Sequence, residues 1–121
     1  MTVHQLVSAA LAPVLANTWA IELPHAPTFP AAVFNAESTP EDVWCDGGGY
    51  SQHELDVVVM AADLDQLDAL LPLDGGGPFR AALEALQPQY MYEEACRDAA
   101  YEPDPNVFAR SLTVRLRTPR Q

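Results

Sequence analysis

The side chains best suited to catalysis lie near the middle of the chain, where Cys45, His53 and Asp56 follow one another. A thiol, an imidazole and a carboxylate are the parts of a nucleophilic triad. His53 and Asp56 belong to a predicted strand and differ by an odd number, so their side chains point to opposite faces of the sheet. Cys45 lies among acids, which raise a thiol pKa instead of activating it. The pattern therefore argues against an enzyme of this kind, and we expect no catalytic residues.

Metal and cofactor motifs are also missing from the sequence. The histidines and cysteines do not occur in CxxC, HxxxH or HExxH spacing. The acids at 41–46 do not have the ligand spacing of an EF-hand loop. The glycine runs at 47–49 and 75–77 are not followed by Lys-Ser or Lys-Thr. The second run, beside Arg80, would give at most a generic anion site, and chain breaking is the preferred interpretation. We expect no cofactor and no bound metal.

The residues expected to make contacts lie in a long acidic loop at about 37–51 and in the last strand. Large aromatic side chains on a glycine-rich loop are frequent contact anchors, although folding back over the sheet is an equal alternative. The arginines of the last strand either form a solvated face or meet an acidic neighbour. The candidate interface residues are Trp44, Tyr50, Glu41, Asp42, Asp46, Arg110, Arg115 and Arg117.

Charge is distributed unevenly along the chain. The formal net charge is −11; residues 1–79 hold eleven acids and no lysine or arginine, whereas residues 80–121 hold six acids and six arginines. Such a surface repels polyanions, which argues against sequence-specific nucleic-acid binding. The asymmetry suits a head-to-tail contact between copies, with ordinary solubility charge as the alternative. No apolar run reaches the roughly 18 residues of a membrane span, and without an export signal we expect reduced cysteines.

The elements that position these residues follow from hydrophobic periodicity. The segment 52–62, QHELDVVVMAA, combines alternation with a β-branched apolar run and is the predicted central strand. An amphipathic helix begins the chain with Thr2 as its predicted N-cap, and it ends near Ala12 or kinks there, because Pro13 removes a backbone donor. Asp63 and Pro78 begin two further helices. The other predicted strands are 19–23, 31–36, 90–95 and 107–117.

This order, α-β-β-β-α-α-β-β, predicts a single α+β domain spanning 1–121. We expect an α/β sandwich, in which a mostly antiparallel sheet of four to five strands packs helices on one face. Periodicity places four side chains of the last strand toward the core and four toward the other face. The predicted core set is Phe108, Leu112, Val114 and Leu116; the other is Ser111, Thr113, Arg115 and Arg117. The helices are expected to bury Leu64, Leu67, Leu70, Leu71, Phe79, Ala82, Leu83 and Leu86.

The order of elements resembles the tail terminator and tail-completion proteins of long-tailed phages, including the lambda-type minor tail proteins. The resemblance rests on element order and pattern. The segments that carry it are FPAAVFNAES, EDVWCDGGGYSQ, ELDVVVMA, DLDQLDALL, the break PLDGGGP, FRAALEAL and SLTVRLR.

The resemblance implies a structural virion protein without enzymatic activity, located at the head-proximal end of the tail after assembly in the host cytoplasm. It would form a hexameric ring that caps the tail tube, ends tube polymerisation and meets the head-tail connector. DNA would pass through its pore without specific binding, because tight binding needs neutralising contacts to phosphates. The alternatives are a neck adaptor, a small acidic binding or immunity module, and a hydrolase that uses Cys45.

Overall fold

The computed structural model describes residues 3–21, 28–40, 50–86, 89–100 and 106–119. The elements occur in the predicted order, and the domain is α+β. They are α1 (Val3–Leu11), β1 (Thr18–Ala20), β2 (Ala31–Pro40), β3 (Tyr50–Ala61), α2 (Leu64–Leu70), α3 (Pro78–Glu84), β4 (Tyr90–Ala100) and β5 (Phe108–Pro119). None of these helices is long and apolar enough to span a membrane.

The sheet has five strands in the order β1-β2-β3-β5-β4, which makes β3 the middle strand. This confirms the predicted central strand. The short β1 runs parallel to β2, and every other neighbouring pair is antiparallel. The sheet is therefore mixed but mostly antiparallel. Its outer strands differ greatly in length, since β1 has 3 residues and β4 has 11.

One face of the sheet carries the main core. Alternate residues of β3, from Leu55 through Val57 and Val59, are fully buried beneath the helices. Leu112, Val114 and Leu116 of β5 join them, as the period of two predicts. The described helices and the C-cap of α2 contribute six fully buried residues, namely Val7, Leu11, Leu67, Leu71, Phe79 and Leu83.

Two residues predicted to be buried are exposed. Leu64 is 44% exposed because it opens α2, where Leu67 and Leu71 alone of the stripe are fully buried. Phe108 is 47% exposed at the start of β5. Its neighbours Val107 and Ala109 are buried instead, in a smaller cluster that includes Met60, Phe29, Val33 and Val58.

The predicted loop at 37–51 is shorter than expected. Residues 37–40 continue β2 and residues 50–51 begin β3, so the two strands pair from Ala31 opposite Met60 to Pro40 opposite Ser51. Polar residues such as Glu37 stay in the ladder because one side of this sheet faces water. Similarly, β4 continues to Ala100, beyond the predicted end at 95. By contrast β1 ends at Ala20, where Ile21 takes a positive φ of 73°.

Helix boundaries follow their local signals. The Asp63 carboxylate accepts a hydrogen bond from the backbone N–H of Asp65 and caps α2. Pro78 opens α3, and Gly77 precedes it with a φ of 89°. A Cβ at Gly77 would lie 2.5 Å from the Pro72 Cδ, so this position needs glycine. Thr2, the predicted cap of α1, lies outside the described residues.

Candidate subunit interface

The candidate interface residues divide into two groups. Trp44, Glu41, Asp42 and Asp46 lie outside the described residues. The other four occupy β3 and β5, the two strands at the centre of the sheet; they are Tyr50, Arg110, Arg115 and Arg117. The structure brings Tyr50 and Arg117 together, places Arg115 in an ion-pair cluster, and buries Arg110.

Arg110 is not a surface residue, which corrects the sequence-based assignment. Its side chain is 3% exposed and lies on the helix-covered face. The guanidinium donates to Asp68 Oδ1 at 2.6 Å, Asp98 Oδ1 at 2.9 Å and the Leu71 carbonyl at 2.9 Å. Burial is the largest single influence on the pKa of Arg110 and lowers it, but the bonds and charges of the two carboxylates together outweigh burial, so the pKa is raised. Arg110 therefore joins α2 to β4, and its charge is satisfied within the subunit.

Arg115 lies on the face of the sheet against which none of the described helices packs, here called the helix-free face. It forms ion pairs with Glu94 of β4 and, at 3.9 Å, with Glu54 of β3. The hydrogen bond with Glu94 is the main cause of its raised pKa. The pKa of Glu54 is also raised, first by desolvation and then by the nearby Glu94 carboxylate. Two acids thus share one arginine, which leaves a net negative cluster at the centre of this face.

Tyr50 and Arg117 form a second contact on the same face. The Arg117 guanidinium carbon lies 4.0 Å above the centre of the Tyr50 ring, a cation–π geometry. The aromatic residue had been predicted in the loop, whereas it is the first residue of β3. Both are among the candidate interface residues, but no sequence pattern predicts their contact. Their proximity follows from the pairing of Tyr50 with Pro119 and of Gln52 with Arg117.

Arg80 is a second buried arginine, 4% exposed, and the sequence analysis missed its role. It pairs with Glu93 of β4 at 2.7 Å and donates to the carbonyls of Pro72 and Gly76. The hydrogen bond with Glu93 is the main cause of its raised pKa. The Arg80 guanidinium bonds the α2–α3 turn and Glu93 of β4. It therefore does not form the weak anion site considered at the glycine run 75–77.

The outer strand β4 is exposed on both faces. Only Tyr90 and Cys96 are partly buried, and its other nine residues are exposed. Among the described strands it pairs with β5 alone. A long outer strand offers unpaired backbone N–H and C=O groups to another chain, and soluble proteins usually shorten or cover such strands. This strand is instead anchored to the domain by the pairs of Glu93 with Arg80 and of Asp98 with Arg110.

Large apolar side chains are exposed at both lateral edges of the sheet. On β4, Met91 is 39% and Tyr92 is 50% exposed. On the β1 side, Trp19 and Ile21 are also exposed. The Trp19 indole N–H donates to the Asn17 side chain at 2.7 Å, which orients the ring. Each edge therefore presents apolar surface as well as backbone groups, a combination typical of contact surfaces.

Of the two described residues first considered for catalysis, His53 is the buried one. Its Nδ1 lies 2.6 Å from Ser38 Oγ and its Nε2 lies 2.7 Å from Thr118 Oγ1. Burial, and secondarily His4, lowers its pKa below the ordinary 6.5. Asp56 lies on the opposite face and accepts a hydrogen bond from Thr113 at 2.7 Å, which confirms the predicted divergence. A hydroxyl beside an imidazole resembles a nucleophile and its base. Here, however, a hydroxyl contacts each ring nitrogen of His53, and the two hydrogen bonds link the strands β2, β3 and β5.

Other chemical sites are few in the described part of the chain. No group of three or more His, Cys, Asp or Glu residues there is arranged to hold a metal ion. Cys96 is a free thiol whose pKa is raised by burial, while Cys45 lies outside the described residues. No protein-family model matches this chain, and no curated protein matches it either. The function is therefore inferred from the geometry of the sheet edges.

Proposed function

We propose that this protein is a structural subunit that assembles edge to edge into a ring and caps the tail tube of a long-tailed phage. The observation that carries the proposal is β4, an eleven-residue outer strand exposed on both faces and anchored by two buried arginines. Maintaining such a strand in an isolated subunit exposes a site for association. A ring covers it in every copy, because heterologous contacts that close leave no free edge.

The helix-free face supports the same role. Its central cluster combines Glu54, Glu94 and Arg115 in a net negative arrangement. The chain as a whole carries a formal charge of −11. A pore lined by such a surface would let duplex DNA pass, because it offers few cations to neutralise phosphates. The hexameric state, the tail-tube protein and the head-tail connector as partners, and the location in the virion all come from the resemblance to tail terminators.

Arrest of tube growth tests this proposal. The tail-tube protein encoded by the same genome is polymerised with and without this protein, and tube lengths are measured by electron microscopy. We expect shorter tubes, with this protein bound at one end and not along the wall. Binding to DNA-filled heads instead of tubes would favour a neck adaptor. Tight one-to-one binding of a cationic protein, with no effect on tubes, would favour an acidic binding module.

A further inference from the structure

The structure describes a second open strand edge, on the far side of the sheet from β4. β1 pairs with β2 only at residues 32–34. The remaining residues of β2, from Asn35 to Pro40, pair with β3 on one side and with no described strand on the other. Within the described residues, each subunit therefore has two strand edges without a partner strand, one on β4 and one on the second half of β2.

The strand directions allow these two edges to join. β2 and β5 run in the same direction, since both are antiparallel to β3. β4 is antiparallel to β5 and so runs opposite to β2. If a neighbouring copy is related by rotation about an axis from which the strands are tilted, as in a barrel, β4 of one copy meets β2 of the next in antiparallel orientation. That pairing continues the existing ladder and is the more stable arrangement.

Two exposed charged residues lie on these edges and on the same face. Glu37 stands opposite Glu54, which bonds Arg115 on the helix-free face. Arg97 stands opposite Ser111, which alternation places on the same face as Arg115. Neither Glu37 nor Arg97 has an ion-pair partner among the described residues.

The register needed to bring these charges together keeps all of β4 except Ala100 clear of β1. Arg97 pairs with Ser111 of β5, which in turn pairs with Val58 of β3. Glu37 pairs with Glu54 of β3, four residues earlier along that strand. A stagger of those four β3 residues, about 13 Å, places Glu37 of one copy opposite Arg97 of the next. It sets residues 35–40 of one copy against residues 94–99 of the next, and only Ala100, the last residue of β4, falls opposite a residue of β2 that β1 already pairs with. A stagger of this kind is what closing a sheet into a barrel requires.

We propose that a second copy of this chain occupies the outer edge of β4 through residues 35–40 of its β2, with Arg97 opposite Glu37. This inference rests on the proposed ring, and it names the strands that form each contact. It differs from a two-fold β4–β4 contact, in which Glu37 takes no part.

Charge reversal tests the pairing. Native mass spectrometry and light scattering are applied at protein concentrations up to about 100 µM, which captures contacts with a Kd of that order. Arg97→Glu and Glu37→Arg each set like charges opposite one another and are expected to raise the apparent Kd roughly tenfold. The double reversal is expected to restore assembly to within about threefold of the original.

A loss confined to Arg97→Glu, with Glu37→Arg unchanged, would overturn the inference in favour of a β4–β4 contact. Rings unaffected by either reversal would overturn it as well and leave the proposed ring intact. A protein that stays monomeric, alone and on tube ends, would overturn both.

Crosslinking gives an independent result. Directly opposed residues of antiparallel strands suit a disulfide, so Glu37→Cys with Arg97→Cys, in a background of Cys45→Ser and Cys96→Ser, is expected to give an oxidised ladder beyond dimer that reductant dissolves. The matched control is Arg97→Cys alone in that background. A dimer band from this control would contradict the head-to-tail register, and so would a double variant that stays unlinked while native rings form.

Discussion

The buried arginine Arg110 provides the most demanding test of the fold. Arg110→Ala removes the only side chain that the structure shows donating to the Leu71 carbonyl, a buried group, at 2.9 Å. Leaving such an acceptor unsatisfied costs about 1–3 kcal/mol. The lost ion pairs with Asp68 and Asp98, whose side chains are 53% and 65% exposed, add about 0.5–1 kcal/mol each after solvent screening. The expected loss in the free energy of unfolding is therefore about 3 kcal/mol.

Urea unfolding measures this loss. At an m-value of about 1.5 kcal/mol/M, the midpoint should fall by roughly 2 M with m unchanged. The Tm should fall by roughly 10 °C for a domain of this size. Arg97→Ala is the matched control when unfolding is measured at a protein concentration that keeps the subunit monomeric, because Arg97 is exposed and makes no ion pair among the described residues; its effect should then stay within about 0.5 kcal/mol.

A loss below about 1 kcal/mol for Arg110→Ala, with assembly abolished, would refute this reasoning. It would restore Arg110 to the subunit surface, where the sequence analysis had placed it.

Three further predictions concern stability. Gly77→Ala should cost about 1–3 kcal/mol, because its φ is 89° and the new Cβ would meet the Pro72 ring; an unchanged urea midpoint would contradict this backbone geometry. The pKa of His53 is lowered in the folded protein, so the unfolded chain binds the proton more tightly. The contribution of His53 to stability is therefore complete above pH 6.5 and is lost as pH falls below that value. His53→Gln should flatten that part of the pH–stability curve, and an unaltered curve would contradict this assignment. Leu67→Ala should cost about 2–5 kcal/mol and Leu64→Ala under about 1 kcal/mol, because only the former is fully buried; equal losses in thermal melts would contradict the assigned helix face.

Periodicity predicted the parts of the fold where one face is buried and the other is wet. The central strand shows this clearly: His53 and Asp56 diverge as their odd spacing requires. The same rule applies to Arg110, whose even number places it with Leu112 on the core face. The alternation of the last strand therefore indicated the core face for Arg110, but the residue was assigned to the surface because arginine is charged.

The outer strand could not be delimited in this way. β4 is exposed on both faces, so its residues carry no alternation of apolar and polar types that would mark its end. Its position depends on long-range ion pairs, with Glu93 bonding Arg80 and Asp98 bonding Arg110. Contacts of this kind depend on tertiary packing, which local pattern does not report. The same limit explains why the pairing of Tyr50 with Arg117 was not foreseen.

Electron microscopy of the purified protein mixed with tail tubes, the tube protein coming from the same genome, tests the central claim most directly. Class averages should show a closed ring at one end of each tube, with neighbouring subunits joined into a continuous sheet through β4. Tubes with bare ends beside a protein that remains monomeric would contradict the account.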